Sequence, residues 1–309
     1  MTRPAGIVCP ILTPFEADGS IARDLYVAHA KWVLEQGAHY LSPFGTTGEA
    51  FSVGVKERMA ALDWLIAAGI PPERMMPGTG VIALTETAEL SSHAVKAGCA
   101  GVMVLPSFFY GAAGDEGQSR YFSELVERVS DDRLRMILYN IPQNTGVPVS
   151  PQLTAELNRR FPATVVAYKD SSGNWDNTQA VISAAPGVAV FPGSESFLRQ
   201  GLDAGGAGCI SATVNINAAA IRAVYNGAIA GHDVSATDLA MRAFRKTVQD
   251  AGLIGAMKAL LAVASGDRRW LNLRTPLRNA SIAEGEALLA ALGDSADHLR
   301  KLSRGKWRQ

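Results

Sequence analysis

Short apolar runs rich in Val, Ile, Leu and Met recur through the first two thirds of the chain, at residues 6–10, 40–44, 75–77, 101–105, 135–139, 165–169, 188–191 and 208–211. Within each run the apolar character is nearly continuous instead of alternating, as in strands buried on both faces of a parallel sheet. The intervening stretches carry helical spacing: Met59, Leu62, Leu65 and Ile66 share one face, and so do Tyr121, Phe122, Leu125, Val126 and Val129. One helix start is well marked, because Ser150 can cap free amides while Pro151 takes the first helical position, where a missing N–H is harmless. The pattern is a strand followed by a helix, eight times over. An open doubly wound sheet shares this alternation, but eight units at this spacing predict closure into a (β/α)8 TIM barrel. After Asn215 the strand signal stops, and Ala-rich and Leu-rich helical sequence runs to about residue 300, broken at 231–232 and 272–276. The expected organisation is an α/β barrel over 1–225 and a C-terminal helical extension over 226–309 packed on it.

The remaining totals narrow the function by exclusion. The chain of 309 residues is long enough for one such barrel and an extension. Lys plus Arg and Asp plus Glu are each 29, and no basic run tracks a phosphate backbone, so no nucleic-acid partner is expected. Cys9, Cys99 and Cys209 lie far apart inside apolar segments and read as reduced core residues of a cytoplasmic protein. Pro10 and Pro14 interrupt the short apolar stretch at the N-terminus, which reads as mature protein, and no segment has the length of a membrane span. His29, His39, His93, His232 and His298 form no close ligand pair, which disfavours a metal enzyme; His29 and His93 fall in helices and read as packing or surface residues. Gly78-Thr79-Gly80 lacks the third glycine of a dinucleotide fingerprint. No cofactor is implied.

A barrel of this kind builds its active site where strands end and the following loops begin. The second run leads into Gly45-Thr46-Thr47-Gly48-Glu49, whose glycines allow close approach of an anion and whose hydroxyls and amides can donate to it; such a turn also serves simply as a helix start. The fifth run ends in Tyr139-Asn140-Ile141-Pro142, and the sixth in Tyr168-Lys169-Asp170-Ser171-Ser172-Gly173. A lysine after Val165, Val166 and Ala167 is unusual, because lysine is rarely buried unless paired. Burial favours the neutral amine, which can attack a ketone to give an electron-withdrawing imine. The alternative is a rim salt bridge between Lys169 and Asp170. Tyr139 could carry protons across the barrel mouth, or be an ordinary core tyrosine. An anion cradle, a proton carrier and an amine on three separate loops together suggest a site for a 2-oxo acid.

These three segments, with Pro10-Ile11-Leu12-Thr13-Pro14-Phe15, resemble the signatures of the dihydrodipicolinate synthase/N-acetylneuraminate lyase family in order, spacing and position, over about residues 5–299. The resemblance implies a lyase in which Lys169 forms a Schiff base with pyruvate or a related 2-oxo acid and Tyr139 transfers protons. Thr46 and Thr47 would bind the carboxylate, with Thr46 joining the relay, and Gly193 and Ile210 would line the pyruvate pocket. It further implies a homo-oligomer, usually a tetramer built from dimers.

Several positions bear on the substrate. Synthases of the family carry an arginine after the tyrosine that binds the aldehyde's carboxylate; here Asn144 stands at that position. They also place a tyrosine from a neighbouring subunit in the relay, where this chain aligns Phe109 with Tyr110 beside it. Glu195 matches the acidic residue with which sugar-acid lyases hold acceptor hydroxyls, and Ser171 and Ser211 match nearby positions. The expectation is aldol cleavage or dehydration of a 2-keto-3-deoxy sugar acid, with authentic dihydrodipicolinate synthase, condensing pyruvate with aspartate semialdehyde, as the alternative. Two further classes remain open: a barrel that cradles phosphate with residues 193–196 and 205–208, and a sensor that keeps the pocket without turnover.

Overall fold

The computed structural model describes residues 3–301; Met1, Thr2 and residues 302–309 of the expected extension lie outside them. Among the described residues seven strands are regular: β1 (Gly6–Cys9), β2 (Tyr40–Leu41), β3 (Val102–Val104), β4 (Met136–Asn140), β5 (Val165–Asp170), β6 (Ala189–Pro192) and β7 (Gly208–Ile210). All paired strands are parallel, in the orders β2-β1-β7 and β3-β4-β5-β6.

The run at 75–77, expected as a third strand, is not a regular one. It bridges the gap between β2 and β3 through isolated pairings, Leu41 with Met75 and Gly78 with Met103. Pro77 lacks the N–H that a ladder needs, yet its carbonyl accepts from Met103 N at 2.8 Å, and Gly78 N donates to Pro43 O at 2.7 Å. On the other side Ala207 N donates to Val190 O at 2.8 Å, joining β6 to β7 and closing the barrel. At the β1–β7 seam Gly208 has φ +144, and a Cβ there would collide with the carbonyl of Gly6, so only glycine allows the two strands to approach.

The continuous apolar runs are explained by two packed layers. Val8, Met103, Ile137, Tyr139, Ala167, Ala189, Phe191 and Ile210 point inward and fill the barrel. Ile7, Cys9, Val102, Val104, Met136, Leu138, Val165, Tyr168, Val190 and Cys209 face outward against the helices. Successive residues point to opposite faces except at the irregularity where β5 meets Met136 and Ile137, which puts Val165 outward and Ala167 inward; both faces are dry.

The outer ring comprises α1 (Arg23–Glu35), α2 (Val55–Ala67), α3 (Leu84–Lys96), α4 (Gly114–Val129), the single turn α5 (Pro142–Thr145), α6 (Pro151–Arg160), α7 (Trp175–Ala184), α8 (Leu198–Asp203) and α9 (Val214–Ile229). Ser150 caps α6 as its sequence predicts, accepting from Leu153 N at 3.0 Å. α10 (Ser235–Asp250), α11 (Ile254–Ser265), α12 (Ile282–Leu292) and the short α13 (Asp297–Arg300) follow. The division expected between 225 and 226 falls inside α9, which continues to Ile229 because the sequence offers no stop before Gly231, with φ +73. Among the described residues no single helix is long and apolar enough to cross a membrane.

Asn215 ties the start of α9 to the exit of β1. Its side-chain oxygen accepts from Leu12 N at 2.9 Å and from His29 Nε2 at 2.8 Å, while its amide donates to Pro10 O and Ala212 O. His29 is fully buried, and desolvation, only partly opposed by the Asn215 bond, pushes its pKa down to about 4. The unfolded chain takes up this proton near pH 6.5, so its stabilising contribution is complete above that value and is lost as pH falls toward 4. The melting temperature followed by circular dichroism should therefore fall between pH 7 and 4.5, and His29→Gln should flatten part of that fall. An identical pH slope in the variant would rule out this assignment.

Candidate active site

The pairing of β4 with β5 places Tyr139 directly beside Lys169 and Asn140 beside Asp170. Tyr139 is on the inner face, and by its register Lys169 shares that face. The two side chains touch: the Lys169 amine lies 4.1 Å from the centroid of the Tyr139 ring. Both residues are only 3% exposed, so the amine is held in a nearly dry barrel mouth.

Asp170 does not take up the amine in a salt bridge. Its Oδ1 accepts from Asn140 Nδ2 at 2.9 Å and from Ser172 N at 3.0 Å, and its Oδ2 from Asn177 Nδ2 at 2.9 Å and Thr178 Oγ1 at 2.7 Å. Four neutral donors satisfy the carboxylate, which anchors β5 to β4 and to α7. The rim-salt-bridge reading of Lys169 is thereby displaced, because the partner it needs is already saturated.

The 45–49 segment forms a single 3-10 turn, Thr46–Gly48, instead of running directly into a long helix. Thr46 Oγ1 lies 3.0 Å from the Tyr139 hydroxyl, linking the turn to β4. Thr13 Oγ1 donates to Gly48 O at 2.8 Å from below. Glu49 closes the turn in the left-handed region, with φ 57 and ψ 38.

These elements open on a cavity of about 540 Å³. Of the residues singled out from sequence, Lys169, Tyr139, Thr46, Thr47, Gly193, Ile210, Asn144 and Ser171 are all on its wall. A Cβ at Gly193 would collide with Ser171 Oγ, so glycine lets β6 close against the end of β5 there. A larger hollow of about 810 Å³ lies among α10, α11 and α12, where of its charged lining residues Arg278 and Glu284 pair with each other and Asp250 pairs with Lys246.

Three sequence-derived assignments do not sit on this wall. Tyr110 is 70% exposed and packs edge-on against Phe109, because the 105–113 loop carries it outward. Glu195 is fully buried behind the cavity: Thr213 Oγ1 donates to its Oε1, Ser211 Oγ to its Oε2, and Arg245 Nη1 lies 3.1 Å from that second oxygen. An unpaired carboxylate in that dry position would be costly, so the hydroxyls and the arginine close around it. Ser211 is consumed in the same cluster and is likewise fully buried.

Arg245, which sequence reasoning missed, takes the place on the wall expected for Glu195. It projects from α10 and is braced by Glu195, by Ser211 Oγ at 3.0 Å and by Gln249 Oε1 at 3.2 Å. Gln249 and Leu253 also line the cavity. The signal was present in the helical pattern, since Arg245 falls within the buried stripe of Met241, Phe244 and Val248.

Residues 3–292 match the model of the dihydrodipicolinate synthetase family. An uncharacterized DapA-like lyase of Chloroflexus aurantiacus is 33% identical over 94% of this chain and 97% of its own length. A 4-hydroxy-tetrahydrodipicolinate synthase of Rhizobium meliloti is 30% identical over 93% of this chain and 97% of its own. The crystal structure of dihydrodipicolinate synthase from Agrobacterium tumefaciens superposes with a TM-score of 0.85 at 32% identity, covering 93% of this chain and 99% of that one. With a barrel of that shape and a lysine, a tyrosine and a threonine turn converging at its mouth, the chain belongs to the dihydrodipicolinate synthetase family and is a lyase.

Proposed function

We propose that Lys169 forms a Schiff base with a 2-oxo acid and that the substrate is a 2-keto-3-deoxy sugar acid, cleaved or dehydrated through that intermediate. The observation that carries the reading is the buried Lys169 amine, set against Tyr139 and left without Asp170 as a partner. The amine adds to C2 of the substrate, the carbonyl oxygen leaves as water, and the resulting iminium draws electrons from C3. In cleavage, the proton of the C4 hydroxyl passes to a base, the C3–C4 bond pair moves onto C3, and an aldehyde departs. Protonation of C3 and hydrolysis then return pyruvate and the free amine. In dehydration, C3 loses its proton to a base, a C3–C4 double bond forms as the C4 hydroxyl takes up a proton and leaves as water, and hydrolysis frees the amine. Tyr139, within hydrogen-bond reach of Thr46, is placed to carry these protons, while Thr46 and Thr47 hold the carboxylate.

The far wall supports a hydroxylated substrate. Gln143, Asn144, Ser194, Ser196 and Gln249 are neutral donors and acceptors, and Arg245 is charge-balanced by Glu195 behind it. Glu195 acts in this reading by bracing Arg245, not by touching hydroxyls. The cation on the wall also offers a carboxylate some purchase, which is what favours the synthase as the second reading. Exposed Phe51, Ile82, Phe109 and Tyr110 support association into a homo-oligomer, a tetramer built from dimers, in which Tyr110 would be covered. Buried free thiols at Cys9 and Cys209 fit the cytoplasm.

Borohydride added with pyruvate should attach one reduced pyruvyl group, at Lys169 alone, by peptide mass spectrometry; label elsewhere or nowhere removes the imine. Replacing Tyr139 by Phe keeps the ring over the amine but deletes the proton carrier, so turnover should drop by roughly 10²–10⁴-fold. Near-normal kcat in that variant would take Tyr139 out of the reaction. On substrate choice, a panel of 2-keto-3-deoxy acids should give higher kcat/KM than condensation of pyruvate with aspartate semialdehyde. Efficient condensation with an inert panel would decide for the synthase.

A further inference from the structure

The C-terminal helices reach the carboxylate-binding turn through a second buried ion pair that the reaction chemistry does not use. Glu49 ends that turn and Lys258 lies in the middle of α11; both side chains are fully buried. Lys258 Nζ donates to Glu49 Oε1 and, at 3.0 Å, to Asn272 O. The second Glu49 oxygen accepts from Arg274 N at 3.0 Å. Arg274 in turn donates through Nε to Gly19 O at 2.8 Å and through Nη1 to Ser52 O at 2.6 Å, and it pairs with Glu57. The Lys258 amine and the Arg274 guanidinium lie 4.6 and 4.7 Å from the centroid of the Phe15 ring, whose carbonyl accepts from Asn272 Nδ2 at 2.8 Å.

We propose that the Glu49–Lys258 pair is a positioning device for substrate binding: α11 holds Glu49, and Glu49 holds Thr46 and Thr47 where the 2-oxo acid's carboxylate must sit. Two features argue against mere filling of the core. A buried ion pair is a weak source of stability compared with apolar residues of equal volume, but its directional bonds specify one geometry. Glu49 also keeps a left-handed backbone that is unfavourable for a non-glycine residue, and its side chain is gripped from α11 and from the 272–274 segment that follows it. Thr46 O accepts from Glu49 N at 3.1 Å, so a shift of Glu49 is passed directly to the residue that meets Tyr139. The start of α11 is tied to the same site, because Leu253 lines the cavity.

This inference rests on the Schiff-base reading, and its test separates the two. Pyruvate with borohydride is the probe, and the pyruvate concentration giving half-maximal labelling of Lys169 is the readout. In Lys258→Met that concentration should rise by about 10-fold or more, with the label at saturation still one per folded chain, because displacing a binding group by an ångström can cost up to 10²-fold. Lys258→Arg should restore part of the loss. If Lys258→Met fails to fold, Glu49→Gln decides, since it keeps the volume and the bond from Arg274 N; a rise of about 3-fold or more is expected from weakening a charge-assisted bond. Folded variants that melt earlier yet label at an unchanged pyruvate concentration would reduce the pair to a structural role and overturn the proposal. An unmodified chain that pyruvate does not label would instead overturn the imine, and with it the basis of the inference.

Discussion

The register in which Ile137–Asn140 of β4 pair with Ala167–Asp170 of β5 is the constraint on which the site depends. It sets Tyr139 against Lys169 on the inner face and Asn140 against Asp170 on the other, and a slip of one residue would reverse both. The dry outer face makes such a slip prohibitive: Met136, Leu138, Val165 and Tyr168 pack against the helices and cannot exchange with the residues inside. Asn140 and Asp170 then lock the register with a direct hydrogen bond, and Asn177 and Thr178 extend that lock to α7. Saturating Asp170 has a chemical consequence as well as a structural one. It leaves the neighbouring lysine with an aromatic face as its contact, so the amine faces the cavity.

Other buried carboxylates near the mouth follow the same rule at different places. Glu195 sits beneath Arg245, and Glu49 sits beneath the threonine turn, each closed in by hydroxyl, amide or cationic donors. None of the three lies in the position of a free acid or base. In the proposed reaction proton transfer then falls to Tyr139 and Thr46, while the carboxylates fix the backbone or the cation that lines the cavity.

Much of this was legible in the chain. Strands buried on both faces produce continuous apolar runs, and that rule located seven regular strands; the run at 75–77 kept its place in the barrel but not its ladder, because Pro77 removes a donor. Lys169 was legible because a lysine at the end of Val-Val-Ala conflicts with its surroundings. Glu195 was misplaced for a reason that sequence cannot reveal: the direction of a side chain after a strand depends on which distant groups satisfy it, here Thr213 and Arg245. Arg245 carried its own signal, a charge on an apolar helical stripe, but with only the neutral Gln249 as a partner one turn away it reads as a solvated residue of the extension.

Those two residues recast the C-terminal helices. A barrel alone would supply the amine, the phenol and the turn, which are what imine chemistry on any 2-oxo acid requires. The wall opposite, where the proposed reading has one substrate told from another, is completed from α10 and the start of α11 by Arg245, Gln249 and Leu253. Because these groups lie on helices packed against the barrel instead of on its strands, they can vary without disturbing the register of β4 and β5. In the proposed reaction the barrel carries the common step, the substrate-distinguishing wall is shared between barrel loops and the C-terminal helices, and α11, which reaches both the cavity edge and Glu49, is the element that joins them.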